Sequence, residues 1–213
     1  MKELDLLKKD WNKSASTFEQ ISETEIYKML HQKSSSIVRW ILIISIVEFL
    51  FWILISIFLT DDKYELKLHN YGIEDFIFIT NIINYIVTAG FIVVFYKNYK
   101  NISTTDATRQ LMKSILKTRL TVRNYIWYNL ATIALSIIIS IIMLFQHNPD
   151  LIKMLQTATS KGHRILFIFA SVAISIAFIV LIIGVFWLFY KLLYGILLKK
   201  LNTNYTELKK IEL

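Results

Sequence analysis

The sequence predicts an all-α membrane protein with four transmembrane helices, both termini in the cytoplasm, and helical extensions on the cytoplasmic side. Two observations carry this prediction: four long apolar runs and a one-sided distribution of basic residues. Each run has at least twenty residues, and the runs are 40–59, 76–96, 126–145 and 165–190. A helix of about twenty residues is long enough to cross a hydrocarbon core of about 30 Å.

The basic residues alternate with these runs. Of the 24 Lys and Arg residues, 19 lie in the N-terminal segment, the middle connection and the C-terminal segment, and 5 lie in the two other connections. The positive-inside rule places the segments with the excess in the cytoplasm. We therefore expect a multi-pass protein of the bacterial inner membrane. Its expected parts are a cytoplasmic helical segment at 1–36, a four-helix membrane domain at 37–201 and a cytoplasmic tail at 202–213.

The composition excludes several kinds of site. Hydrophobic residues make up 55% of the chain, which is more than a soluble domain of this size carries. There is no Cys, so disulfides, thiolate nucleophiles and Cys-based metal sites are excluded. The four His residues lie far apart in the sequence, and no metal-binding or phosphate-binding motif occurs. We expect no catalytic residue, no metal and no cofactor. The net charge of +8 comes without a nucleic-acid-binding motif, so we expect no direct contact with nucleic acid.

Two helix starts are predicted on the cytoplasmic side. Ser22 and Glu25 form a capping box, and the helix that they begin meets no Gly or Pro before the end of the first apolar run. The stretch Ser103–Asp106 is a similar capping pattern ahead of a helix that continues to about His147. Pro149 is expected to end the third span, and the fourth span is expected to continue as a helix to about Leu201.

A set of residues in these cytoplasmic segments is predicted to bind a protein partner. Three of them lie on one face of a short amphipathic helix near the N-terminus, one lies in the first long helix, and three basic residues lie one turn apart ahead of the third span. The set is Leu4, Leu7, Trp11, Tyr27, Arg109, Lys113 and Lys117. For the N-terminal helix, anchoring on the membrane surface is the alternative interpretation.

Glu48 is the most informative single residue, because it lies near the middle of the first span. An ionisable group at that depth needs a partner inside the protein. The second span offers a polar stripe, so we predict an intramembrane cluster in which Glu48 contacts Thr80, Asn81, Asn84 and Thr88. Two interpretations remain open: a structural clamp between helices, and a relay for a proton or an ion.

Aromatic residues lie near the cytoplasmic ends of the spans. They are interpreted as the belt that anchors a protein at the membrane interface rather than as a ligand cage. The residues are Trp40, Trp127, Tyr128, Trp187 and Tyr190.

Several cytoplasmic stretches resemble a family of four-span inner-membrane proteins from Bacteroidota that has no established chemistry. These stretches include Leu6-Leu-Lys-Lys-Asp-Trp11, Lys33-Ser-Ser-Ser-Ile-Val-Arg-Trp40 and Tyr194-Gly-Ile-Leu-Leu-Lys-Lys-Leu-Asn202. Members of that group sometimes carry the label beta-carotene 15,15'-monooxygenase. The sequence does not support the label, since carotenoid-cleaving oxygenases hold iron with four His, and the His residues here are expected on opposite faces of the membrane.

These observations lead to an expected function with two alternatives. The first expectation is a non-catalytic, membrane-anchored regulator or scaffold that binds a cytoplasmic partner, with an architecture like that of a membrane-tethered anti-sigma factor. The second is a small transporter or proton-coupled protein that uses Glu48 and Asn84. The third is a membrane enzyme of lipid or carotenoid metabolism. The expected partners are the lipid bilayer and a cytoplasmic protein, and self-association into a homo-oligomer is left open.

Overall fold

The structure, a computed structural model, describes residues 22–59, 66, 68–69, 74–104, 107–160 and 162–211. The predicted N-terminal helix with Leu4, Leu7 and Trp11 lies outside the described residues. The described part is helical and contains no strand. Its helices are α1 Glu23–Leu59, α2 Glu74–Ser103, α3 Thr108–His147, α4 Pro149–Ser160 and α5 Arg164–Ile211.

Four of these helices, α1, α2, α3 and α5, are long and apolar enough to cross a membrane. This confirms the all-helical class and the four apolar helices. Neighbouring helices run antiparallel in a ring, in which α1 packs on α2, α2 on α3, α3 on α5, and α5 on α1. We call the end where α1 begins, α2 connects to α3 and α5 finishes the α2–α3 end. The opposite end, next to α4, is the α4 end.

Fully buried side chains concentrate in the half of the bundle toward the α2–α3 end. One cluster lies beyond the apolar runs and consists of Leu30, Val38, Ile102, Leu111, Ile115, Leu201 and Leu208. A second cluster follows toward the middle and consists of Ile41, Phe95, Val122, Tyr125, Leu130, Tyr190 and Tyr194. Toward the α4 end the apolar side chains are largely exposed, as Phe58 and Ile165 illustrate. Exposed apolar side chains on long helices are suited to a lipid environment.

The first predicted helix start is confirmed, and the second is wrong. The backbone N–H of Ser22 donates to Glu25 Oε2 at 3.0 Å, and the N–H of Glu25 donates to Ser22 Oγ at 3.3 Å. This is the reciprocal pattern of a capping box. In contrast, α3 begins after Ala107, which makes no side-chain cap. The hydroxyl of Ser103 donates instead to the carbonyl oxygen of Lys100, because Ser103 still belongs to the last turn of α2.

The short helix α4 follows α3 after a single residue. Asn148 Oδ1 accepts the backbone N–H of Leu151 at 3.2 Å, and Pro149 stands in the first turn of α4. Proline fits there because its missing N–H would have no partner within the helix. The sequence prediction that Pro149 ends the third span is therefore incomplete, since the same residue begins another helix. Gly162, with φ of 74°, follows α4, and the N–H of His163 donates to the carbonyl oxygen of Ala158 at 2.8 Å.

Helix α5 extends through most of the segment that we predicted as a polar tail. It continues to Ile211, and Leu201, Asn204 and Leu208 are buried against the rest of the bundle. Asn204 Nδ2 donates to Ser34 Oγ of α1 at 3.1 Å. These buried residues recur at helical spacing. The many charged residues of the segment hide that spacing in the sequence, which is why the sequence predicts a polar tail.

Candidate functional site: a carboxylate bound by three tyrosines

Glu48 of α1 is buried, with 6% of its surface exposed, and accepts hydrogen bonds from three tyrosines. The hydroxyl of Tyr190 donates to Oε1 at 2.6 Å. The hydroxyls of Tyr125 and Tyr194 each donate to Oε2 at 3.0 Å. We call these four residues the Glu48–tyrosine cluster. It connects α1, α3 and α5, which are three of the four long helices of the ring.

The helical geometry of α5 and α3 explains why the tyrosines meet. Tyr190 and Tyr194 are four residues apart on α5 and share a face, and their rings stack with centroids 6.1 Å apart. Tyr125 of α3 lies edge-on to both rings, at 6.4 Å from Tyr190 and 5.9 Å from Tyr194. Edge-to-face contacts of this kind add to the energy of burial. The rings therefore hold their hydroxyls in place around the carboxylate.

The chemistry of the cluster suits a carboxylate that has no cation beside it. The four apolar runs contain no Lys, Arg or His, and Glu48 is their only acidic residue. A carboxylate only accepts hydrogen bonds, so three hydroxyl donors satisfy it without a counter-ion. Hydrogen bonds are stronger at low dielectric, and an unpaired polar group there is correspondingly costly. The arrangement is thus a strong polar connection between three helices.

Within the described residues, Glu48 forms its hydrogen bonds with tyrosines and none with the polar stripe of α2, so the predicted contact with the stripe stays a prediction. Asn84 Oδ1 accepts instead from the hydroxyl of Tyr128 at 3.0 Å. The Thr80 hydroxyl donates to a carbonyl oxygen of its own helix. Thr88 is a buried residue of the same helix, α2. Long tyrosine side chains from α3 and α5 reach the carboxylate, while Asn84 pairs with α3 and Thr80 with the backbone of its own helix.

Of the aromatic residues interpreted as an interface belt, the three tryptophans have the exposure that the interpretation requires, whereas Tyr128 and Tyr190 donate hydrogen bonds inside the bundle. Trp40, Trp127 and Trp187 are all exposed. Tyr190 is 1% exposed and donates to Glu48. The signal that the sequence offered was the spacing of Tyr190 and Tyr194, which places two hydroxyls on one face of the same helix.

A cavity of about 410 Å³ lies between the helices on the α4-end side of the cluster, and we call it the polar cavity for the amide and hydroxyl groups among its otherwise apolar lining. Amide and hydroxyl side chains line it, including Asn81, Asn84, Asn129 and Ser136. Tyr190 lines it too, so the cavity reaches a residue that is hydrogen-bonded to Glu48. Toward the α2–α3 end, Ile41, Phe95 and Val122 of the second buried cluster pack together with the tyrosines.

A second cavity, of about 640 Å³, is a groove between α1 and α5. Its walls are apolar and aromatic, with Trp40, Trp52 and Phe189 among them. Glu48 is the one charged residue that lines the groove. The carboxylate therefore borders both an apolar groove and, through Tyr190, a polar cavity.

The predicted partner-binding residues are distributed over different surfaces. Arg109, Lys113 and Lys117 are exposed on α3. Tyr27 is half-buried and packs against the cluster that contains Leu30. Among the residues that the structure describes, no group of three or more His, Asp or Glu residues is placed to hold a metal ion.

The sequence profile of the family "Domain of unknown function (DUF8845)" matches residues 24–213. The chain belongs to this family. The match covers all five helices of the DUF8845 chain except Glu23, the first residue of α1. No match is found among curated proteins or among solved structures. The family description assigns no activity, so the function of this member has to be argued from its own residues.

We expect Glu48→Ala to destabilise the bundle far more than Glu48→Gln. Removing the carboxylate leaves three buried tyrosine hydroxyls without an acceptor, at roughly 1–3 kcal/mol for each unpaired group. Glutamine keeps one carbonyl oxygen as an acceptor. Thermal unfolding of the purified protein in detergent measures the difference, with Glu74→Ala, an exposed residue, as the control. Equal losses for Glu48→Gln and Glu48→Ala would contradict the assigned role.

Proposed function

We propose that this protein is a non-catalytic, membrane-anchored regulator or scaffold that binds a cytoplasmic protein at the α2–α3 end of the bundle. One observation supports this most strongly: the packed core continues beyond the apolar runs. We call the segments that lie outside those runs at the α2–α3 end the stalk, and they are 23–39, 97–103, 108–124 and 191–211. The stalk has its own buried cluster, so it is a rigid bundle and not a set of loops.

The surface of the stalk is strongly basic. It carries 15 Lys and Arg residues and 3 Glu residues. The stalk part of α3 alone projects about 25 Å, at about 1.5 Å per residue. Complementary charge steers association and favours partners of opposite sign. An acidic protein surface is therefore the partner that this stalk fits best, with Arg109, Lys113 and Lys117 as the proposed contact residues.

A regulator that holds a transcription factor at the membrane is one concrete version of this function. Membrane-tethered anti-sigma factors place a cytoplasmic helical segment ahead of a span, and α1 of this chain runs from the stalk into the first apolar run without a break. The parallel is one of architecture alone. This parallel favours a partner that contacts both the N-terminal segment and the stalk.

We further propose that the protein lies in the bacterial inner membrane with both termini cytoplasmic, as the 19-to-5 division of basic residues supports. The chain has no Cys, so single cysteines can be introduced without background. We expect Lys210→Cys to resist a membrane-impermeant maleimide in intact cells, and Lys153→Cys to react with it. Labelling of both residues after lysis is the control. Labelling of Lys210→Cys alone in intact cells would reverse the proposed orientation.

We expect a photo-crosslinking amino acid at position 113 or 117 of the full-length protein to capture one predominant protein in cells. The charge-reversed variant Lys113→Glu/Lys117→Glu, with the crosslinker at position 109, should lose that adduct, because the proposed contact is electrostatic. A crosslinker at Phe178, exposed in the fourth apolar run, is the matched control. Identical adducts at Phe178, or an adduct that survives charge reversal, would argue against the stalk as the binding surface.

A second candidate function is a small proton-coupled transporter centred on Glu48, and the polar cavity favours it. The cavity lies toward the α4 end and Tyr190 lines it, whereas packed side chains lie toward the α2–α3 end. A polar site near the middle of the spans is the place where carriers bind their coupling ion. The two functions differ in one respect: a carrier needs a group that titrates. A Glu48→Gln variant that folds but loses its cellular phenotype would favour the carrier, and one that keeps the phenotype would favour the scaffold.

A further inference from the structure

We propose that the groove between α3 and α5 at Arg119 and Arg123 is a binding site for an anionic phospholipid. The groove has a volume of about 400 Å³ and lies where α3 passes from its stalk part into its apolar run. This site is separate from the Glu48–tyrosine cluster and does not depend on the partner-binding function. It also does not depend on which side of the membrane the stalk faces.

Two guanidinium groups provide the polar half of the site. Arg119 and Arg123 are four residues apart, so they share a face of α3 and stand one turn from each other. A guanidinium binds phosphate oxygens in a bidentate manner, which a lysine ammonium cannot do. The ion pairs found among the described residues involve neither arginine. A phosphodiester is therefore a ligand whose charge complements this half of the groove.

Apolar side chains provide the other half. Leu120, Ile126 and Leu198 line the groove together with Trp127, which is 66% exposed. An exposed tryptophan next to arginines is typical of the level at which lipid headgroups meet acyl chains. Free phosphate would leave this apolar wall uncovered, whereas a phospholipid covers it with its glycerol and acyl chains. Two guanidinium groups next to an apolar lining favour a lipid over a soluble anion as the ligand.

The test is retention of phosphatidylglycerol by the full-length protein, measured by native mass spectrometry after release from phosphatidylcholine nanodiscs that contain a minor fraction of phosphatidylglycerol. We expect the wild-type protein to retain phosphatidylglycerol in preference to phosphatidylcholine. Arg119→Gln/Arg123→Gln should lower that preference by about tenfold or more, since each basic residue near the surface contributes about 1 kcal/mol of attraction.

The matched control is Lys97→Gln/Lys100→Gln, which removes the same charge at the corresponding level of α2 without touching the groove. It should retain phosphatidylglycerol nearly as well as the wild type. A second variant, Trp127→Leu, keeps both arginines. It should weaken retention of phosphatidylglycerol because it removes the tryptophan that lies at the level of the lipid headgroups. Equal losses in the arginine variant and the lysine control would overturn the site, because the attraction would then be a general charge effect. Displacement of the lipid by millimolar inorganic phosphate would overturn the lipid assignment in favour of a soluble anion.

Discussion

The burial of one carboxylate in an apolar bundle is the constraint on which the rest of this structure depends. Glu48 has no basic residue in any of the four apolar runs to pair with, and an unsatisfied charge at that depth is prohibitive. Three tyrosine hydroxyls meet this requirement. Because the donors come from α3 and α5, satisfying Glu48 also fixes how α1, α3 and α5 lie against each other.

The Glu48–tyrosine cluster lies between two halves of the molecule that differ in their packing. On one side lies the stalk, with a filled core and a basic surface. On the other side lie a polar cavity and spans whose side chains are mostly exposed. Association of helices in lipid relies on close packing and interhelical hydrogen bonds, since apolar burial against lipid tails contributes little. A polar connection at the base of the stalk is therefore well placed to hold the helices together where apolar packing ends.

Much of the architecture could be predicted from the sequence because its signals are local. The four apolar runs, the unbroken helix α1 and the capping box of Ser22 and Glu25 each depend on neighbouring residues alone. The need of Glu48 for an internal partner followed from its depth. The identity of that partner did not, because Tyr190 lies at the end of a span, where tyrosine is usually an interface residue. Choosing between the α2 stripe and the tyrosines requires knowing how each helix is rotated, which is set by packing in three dimensions.

The remaining differences have a similar origin. The last turns of α5 carry several charged residues, and their helical character depends on packing against α1 through Asn204 and Ser34. Helix α4 is absent from the sequence prediction because Pro149 is expected there only to end the third span, although proline fits the first turn of a new helix equally well. Membership of the DUF8845 family extends over all of these elements. An account of the family therefore has to explain the stalk and α4 as well as the apolar helices.

We expect the Glu48–tyrosine cluster to set the position of α1 against α5 and so to hold the stalk together. Disulfide formation between cysteines at Ser34 and Asn204 tests it directly, because these side chains are in contact in the stalk and the natural chain has no Cys. Disulfide formation should be rapid in the wild-type and Glu48→Gln backgrounds and much slower with Glu48→Ala, with a Ser34–Thr203 cysteine pair as the misaligned control. Equally rapid formation with Glu48→Ala would show that the stalk keeps its arrangement without the cluster.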